Sequence, residues 1–218
     1  MNLAASRMAS LAELLAAVLA PPKCAACDTR VPILSAFCRA CASTVERADH
    51  QEVHLTAAFI YGGAMAQAIA RLKYEHRPDL ARPLGDLLWR ALEGDAPRLR
   101  NSVIVPVPLH VARLAERGFN QSALLARRVA RRLRAEWRPL ALERVRDTPH
   151  QATLDRNGRA ANVAGAFRVR QAETICGRAV LLVDDVRTTG ATMNACSAAL
   201  MGAGAASVDC AVVAAAMK

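Results

Sequence analysis

Residues 180–192 read VLLVDDVRTTGAT, and few stretches restrict a fold so narrowly. Val180 to Val183 form a short, uninterrupted apolar run, the pattern of a strand buried on both faces inside a parallel sheet. Asp184 and Asp185 follow at its carboxyl end, where parallel sheets place their ligands. The next residues are small and hydroxyl-rich. Thr188, Thr189 and Thr192 offer hydroxyl donors, and Gly190 permits a tight turn. A helix beginning near Ala191 would point its positive end into the same loop. Such a loop cradles a phosphate. Two carboxylates facing a phosphate would repel it, so they are expected to face hydroxyls attached to it, and a ribose phosphate meets both demands. The chain has neither G-x-x-x-x-G-K-[ST] nor G-x-G-x-x-G, which sets aside the two common glycine-rich nucleotide loops. The plainer alternative is a strand–turn–helix corner with acidic caps.

The surrounding pattern extends that unit into a domain. A strand (180–184), a helix (about 191–202) and a second strand (207–214) make a βαβ unit. Upstream, HLTAAFIYGG reads as a strand and glycine turn, followed by helices over about 64–74 and 79–92. SVIVPVPLH (102–110) is a buried strand that breaks into a proline-held loop, because Pro106 and Pro108 cannot continue a central ladder. A short strand is expected near 140–145. Residues 146–167 are polar and basic without apolar period, which suggests a long lid-like loop. Strands alternating with helices predict an α/β fold with a largely parallel sheet. The 53% hydrophobic content, with only 4% aromatics, suits helices packed on a sheet.

The N-terminal stretch LAELLAAVLAPPKC has an apolar run interrupted by Glu13. Its Leu11, Leu14, Leu15 and Val18 recur at helical spacing, so it reads as an amphipathic helix ended by Pro21-Pro22 rather than an export signal. No run reaches the ~18 apolar residues of a membrane span. A cytoplasmic protein of three parts is expected: a helix (1–20), a cysteine module (21–48) and an α/β domain (54–218).

That module contains CAAC (24–27) and CRAC (38–41), two Cys-x-x-Cys knuckles with ten residues between them. Each knuckle can set two thiolates on one side of a metal, so Cys24, Cys27, Cys38 and Cys41 are expected to bind a structural zinc. Two disulfides or free thiols are the alternative. Cys176, Cys196 and Cys210 lie among apolar residues and read as small core side chains. HQEVH (50–54) resembles a zinc-protease pair, but its glutamate stands one place late. Both histidines are therefore expected in a linker.

Twenty-nine basic and 19 acidic residues give a net charge of +10, which favours polyanionic partners. The charge peaks in LLARRVARRLRAEWR (124–138), where Leu125, Val129, Leu133 and Trp137 recur every four residues. One helix face is then buried, and the arginines occupy the others. They form either a solvated face or a docking surface.

The opening stretch closely resembles the phosphoribosyl-pyrophosphate (PRPP) signature of type I phosphoribosyltransferases. Together with VPVPLHVARLAERGFNQS (105–122), the PPKCAAC knuckle and HQATLDRNGRAANVAGAF (150–167), it resembles the ComF family. That family comprises competence-associated, phosphoribosyltransferase-like proteins with an N-terminal zinc ribbon. The resemblance spans nearly the whole chain, and RGFNQ is more specific than the acidic pair; the arginine content of 127–138 is not part of the pattern.

The resemblance implies that Asp184 and Asp185 hold ribose hydroxyls. It further implies that Arg187, Thr188, Thr189, Gly190, Ala191 and Thr192 hold the 5′-phosphate. The pyrophosphate would lie near Val107, Pro108, Arg113 and Arg117, with Arg156 and Arg159 closing from a flap. Magnesium would accompany PRPP. His110 and His150 lie near this site without an assigned role. Three roles remain open: phosphoribosyl transfer to an unassigned acceptor, PRPP binding without turnover, and docking to a competence helicase or single-stranded DNA.

Overall fold

A computed structural model describes residues 21–48, 53–146 and 165–216. The expected N-terminal helix, His50, and the lid positions His150, Arg156 and Arg159 lie outside these residues.

Four strands build a parallel sheet in the order β1 (Leu55–Ile60), β6 (Ser207–Ala215), β5 (Ala179–Arg187), β2 (Val103–Pro106). The central strands pair from Ala179 against Ser207 to Arg187 against Ala215. Alternation along β5 sends Leu181 and Val183 into one core and Val180 and Leu182 into another. On the first face lie α2 (Gly63–Tyr74), α3 (Ala81–Leu92) and α6 (Gln121–Leu133). Their Met65, Ile69, Leu72, Leu84, Leu88, Leu125 and Val129 are buried against the sheet. On the second face, α7 (Ala191–Gly202) contributes Met193, Cys196 and Leu200. A separate antiparallel ribbon of β3 (Leu142–Arg144) and β4 (Phe167–Val169) completes that core with Leu142 and Phe167.

Three differences from the sequence pattern have physical causes. First, β5 runs to Arg187, so the acidic pair lies inside the strand rather than beyond it. Beside the pair, β2 stops sooner. Its last pairing is Pro106 with Val183, followed by a bond from Val107 N to Val183 O of 2.9 Å. Second, the basic helix ends at Leu133 instead of reaching Arg138. Arg134 takes a left-handed conformation (φ 56°), and Ala135 N closes the turn on Ala130 O at 3.0 Å. Trp137, which continues the apolar spacing, instead lies beside Ile104 of β2; Ile104 N donates to Glu136 O at 2.8 Å. Third, the expected loop after VPVP carries a helix, α5 (Val111–Arg117), ended by Gly118 at φ 79°.

The cysteine module sits against the α/β unit through several contacts. Its short helix α1 (Arg39–Ala42) carries the second knuckle. Ala25 is buried in the first core, and Phe37 and Val45 pack against it. Thr44 Oγ1 accepts from Ala64 N at 3.0 Å, at the start of α2. The approach requires Gly63, since a Cβ there would stand 2.3 Å from Thr44 O and the backbone has φ 49°. Ile60 N bonds to Glu46 O at 2.9 Å, which covers the outer side of β1.

Candidate functional site

The acidic pair draws its partners from two helices, and a third joins through them. Asp184 Oδ1 accepts from Ser122 Oγ at 2.6 Å and from Asp185 N at 2.9 Å. Asp185 Oδ1 accepts from Gln121 Nε2 at 3.2 Å, and its Oδ2 pairs with Lys73 Nζ at 2.5 Å. Gln121 Oε1 accepts in turn from Arg117 Nη1 at 2.6 Å, and the Arg117 guanidinium lies 5.4 Å from the Tyr74 ring centre. A chain of contacts thus joins Lys73 on α2, the pair on β5, Gln121 on α6 and Arg117 on α5.

Asn120 sets the start of α6. Its Oδ1 accepts from Ser122 N at 3.0 Å and Ala123 N at 3.4 Å, while Nδ2 donates to Val107 O at 3.0 Å. One side chain therefore caps a helix and fixes the turn after β2. The RGFNQS stretch owes its place in the site to this geometry.

Electrostatics divides the pair. Burial first, and the charge of Asp185 second, push the Asp184 carboxyl up to about 7; the Ser122 hydrogen bond and Lys73 oppose the rise. Burial also works against a charge on Lys73, but Asp185 outweighs it and raises the ammonium above its ordinary value. Cys196 beneath them is pushed well up, chiefly by burial and then by Asp184.

The loop after β5 has the expected form. Gly190 caps α7 at φ 85°, and Thr189 Oγ1 accepts from Ala191 N at 3.4 Å. Val186, Arg187, Thr188, Gly190, Ala191, Thr192 and Met193 enclose a space of about 30 Å³. Arg187 leans over it, with Nε 3.1 Å from where a Gly190 Cβ would stand. A larger cavity of about 260 Å³ opens near the amino ends of β1 and β6, around His54, Arg98 and Asp209. There His54 Nδ1 lies 3.0 Å from Asp209, which Arg98 also binds. His54 is thus a hydrogen-bonding neighbour of Asp209 rather than a plain linker residue.

The sulfur atoms of Cys24, Cys27, Cys38 and Cys41 all lie within 4.8 Å of one another. Cys27 and Cys38 are 3.7 Å apart, close to the ~3.8 Å edge of a tetrahedron with Zn–S bonds of about 2.3 Å. Soft thiolates at this separation fit zinc, and four of them leave no open position, so the site is structural in kind. Hydrogen bonding with Thr29 lowers the Cys27 thiol to about 6. Behind the first knuckle, Asp28 is gripped by Arg71 and Arg77. Of the other cysteines, Cys196 is buried as expected, Cys210 is half-buried, and Cys176 is exposed rather than a core residue.

Sequence reading did not identify Lys73, Gln121 or Ser122 as site residues. Lys73 carried no local signal, since its partner lies far along the chain. Two arginines of the basic helix are taken up within the fold. Arg128 and Arg132 both bind Asp86 on α3, at 2.6 and 2.7 Å, and are only 20% and 19% exposed. Arg127 lies 5.7 Å from the Trp137 ring centre.

A parallel sheet with an acidic pair, a glycine-turned loop and a helix N-terminus at one strand end defines a phosphoribosyltransferase-type domain. Residues 120–218 match the phosphoribosyl transferase domain family. The DNA utilization protein YhgH of Escherichia coli is 36% identical over 68% of this chain and 66% of its own length. The Salmonella typhimurium protein of the same name is 34% identical over the same shares. Competence protein F of Haemophilus influenzae is 35% identical over 58% of this chain and 57% of its own. TT1426 from Thermus thermophilus, a solved structure, aligns over 61% of this chain and 72% of its own at TM-score 0.38 and 24% identity. The chain is thus a homologue of the DNA utilization protein YhgH and of Competence protein F, and carries a phosphoribosyl transferase domain. It spans about two thirds, 66%, of the length of the YhgH relatives it matches.

Proposed function

We propose that this protein binds PRPP with magnesium and transfers its phosphoribosyl group to an acceptor, in a role tied to DNA uptake or the use of DNA-derived nucleobases. The observation that carries the reading is the acidic pair, followed at once by a glycine-turned loop at a helix N-terminus and joined through Gln121 to Arg117. The loop of 187–192 would take the 5′-phosphate on its backbone N–H groups and threonine hydroxyls. Asp184 and Asp185, in the strand before it, would meet the ribose. Val107 and Pro108 turn beside Val183, so Arg113 and Arg117 on α5 would face the pyrophosphate. Arg156 and Arg159 are proposed to close over it.

In the reaction the C–O bond to pyrophosphate breaks and the acceptor bonds to the anomeric carbon, through an oxocarbenium-like state. Arginines would stabilise the departing charge. Among the described residues the four cysteines are the only group of three or more suited to hold a metal. Magnesium would thus be held chiefly by substrate phosphates, and supplies positive charge to the leaving group. A cytoplasmic location agrees with this chemistry, and no helix among the described residues is long and apolar enough to cross a membrane.

A screen of bases and amines for PRPP-dependent pyrophosphate release tests the reading. Release with one acceptor class is expected. PRPP binding with no release across the screen would leave a ligand-binding module; no PRPP binding would overturn the reading.

The docking alternative, with a competence helicase or single-stranded DNA as partner, loses Arg128 and Arg132 to Asp86. It must rest on the remaining basic side chains, Arg127 and Arg131 among them.

A further inference from the structure

The cavity of about 260 Å³ lies at the far end of the sheet from the glycine-turned loop. It borders Leu181 of β5 and Asp209 of β6, which pair in register, whereas the loop follows Arg187, paired with Ala215. Six residues of strand, about 20 Å, separate the two places. Leu92 at the end of α3, Leu99 of α4 (Ala96–Leu99) and Leu181 are buried and give the cavity apolar walls. Asp209 is 6% exposed and shares the face of Ala211 and Val213, an uncommon place for a carboxylate. Its Oδ1 meets His54 Nδ1 and its Oδ2 binds Arg98. The two side chains it holds are 65% and 57% exposed, at the mouth of the cavity. His54 has φ 64°, unusual for a residue with a side chain, and its carbonyl accepts from Cys210 N at 2.8 Å. A buried charge pair stabilises a fold little against an apolar replacement, and strained backbone collects at ligand sites. Both features point to binding.

We propose that this cavity is a second ligand site, for a nucleobase or nucleoside. Its volume lies below the about 300–1,000 Å³ of drug-sized pockets, so the ligand is small. The leucine walls call for an apolar body. Around them Arg98 offers N–H donors and the Asp95 carboxylate accepts. A carboxylate can only accept, so His54 bonds Asp209 through Nδ1–H and presents Nε2 as an acceptor. A ring whose edge carries both donors and acceptors meets all of these groups, as a base does. A phosphate is disfavoured, because Asp209 neutralises Arg98 and Asp95 adds a second carboxylate. A free amino acid would set its own carboxylate against both. A sugar alone would leave the leucine walls uncovered. The site stands independently of the PRPP reading, since it shares no residue with the acidic pair or its loop.

Calorimetry on the full chain with adenosine, guanosine and cytidine tests the site, with leucine as the zwitterionic control and a thermal melt of each variant. Saturable binding of at least one nucleoside is expected, and none of leucine. Arg98→Met and Asp95→Asn should each weaken it at least about tenfold, since each removes a charged hydrogen-bonding partner. Asp184→Asn, at the other end of the sheet, should leave it within about twofold, as distant sites act independently. If Arg98→Met does not fold, Asp95→Asn decides alone, because the Asp95 side chain makes no capping bond to α4. No saturable binding up to millimolar nucleoside would overturn the proposal, as would leucine binding in place of nucleosides. Nucleoside binding that Asp95→Asn leaves unchanged would also overturn it. So would a tenfold loss in Asp184→Asn, which would put the nucleoside at the acidic pair instead.

Discussion

The cysteine module and the acidic site both crowd ionisable groups, yet each controls the crowding differently. The four sulfurs come from residues 24 to 41 and converge within 4.8 Å. One divalent ion can coordinate all four at once, and the closed geometry gives it nothing further to do. The acidic site gathers its partners from helices distant in sequence, with Ser122 and Gln121 standing 62 and 64 positions from their aspartates. Lys73 cancels one charge and hydrogen bonds hold the rest. Asp185 Oδ2 rests on the Lys73 ion pair without a hydrogen bond. The metal module is set by one stretch of chain, whereas the acidic site depends on how α2 and α6 pack on β5.

Removing the metal should break this contrast most visibly. Binding of structural zinc contributes on the order of 10–16 kcal/mol to small thiolate modules. Cys24→Ser should abolish metal retention, measured by elemental analysis, and unfold the module. Because Ala25 lies in the first core and Asp28 is tied to Arg71 and Arg77, the melting temperature of the whole protein should fall as well. Metal-free protein with an unchanged melt would show that the module needs no ion.

The acidic site should show the opposite behaviour, since its charge is a burden on the fold. The Asp184 carboxyl, at about 7, lies above its unfolded value of 3.8. The folded protein therefore holds this proton more tightly, and the resulting stability is complete below about pH 4 and lost as pH rises through 7. Asp184→Asn should raise stability above pH 7 by up to about 4 kcal/mol, with the gain vanishing near pH 4. Denaturant titrations across pH measure it; a gain independent of pH would reject buried charge as the cause.

How much of each region was legible follows from the same contrast. The knuckles could be read because their ligands are close in sequence, and VLLVDDVRTTGAT because strand, turn and helix start are local patterns. Lys73, Gln121 and Ser122 could not, since only the packing of α2 and α6 on β5 brings them in. Arg128 and Arg132 show the reverse error. Their spacing suggested solvent or a partner, but α3 supplies Asp86 between them. Trp137 kept the helical spacing beyond a helix that Arg134 had already ended. Periodicity does not register a left-handed stop at a non-glycine residue.

Asp86→Ala should leave those two arginines half-buried and unpaired, at a cost of roughly 1–3 kcal/mol. A change below about 0.5 kcal/mol in chemical denaturation would return them to the surface class. Arg127 and Arg131 should matter least to the fold. Changing both to Gln should shift stability by no more than about 0.5 kcal/mol. If the face docks single-stranded DNA, the same change should flatten the logarithmic salt slope of binding by about 1.4. An unchanged slope would remove DNA from this face.

The central claim is that the acidic pair and the loop after it recognise a ribose phosphate. Calorimetric titration of PRPP with magnesium into the wild type and Asp184→Asn tests it most directly. A charged hydrogen bond contributes about 1.5–3 kcal/mol, so the account predicts saturable wild-type binding that weakens at least about tenfold in the variant. Equal affinity in the two proteins would contradict it.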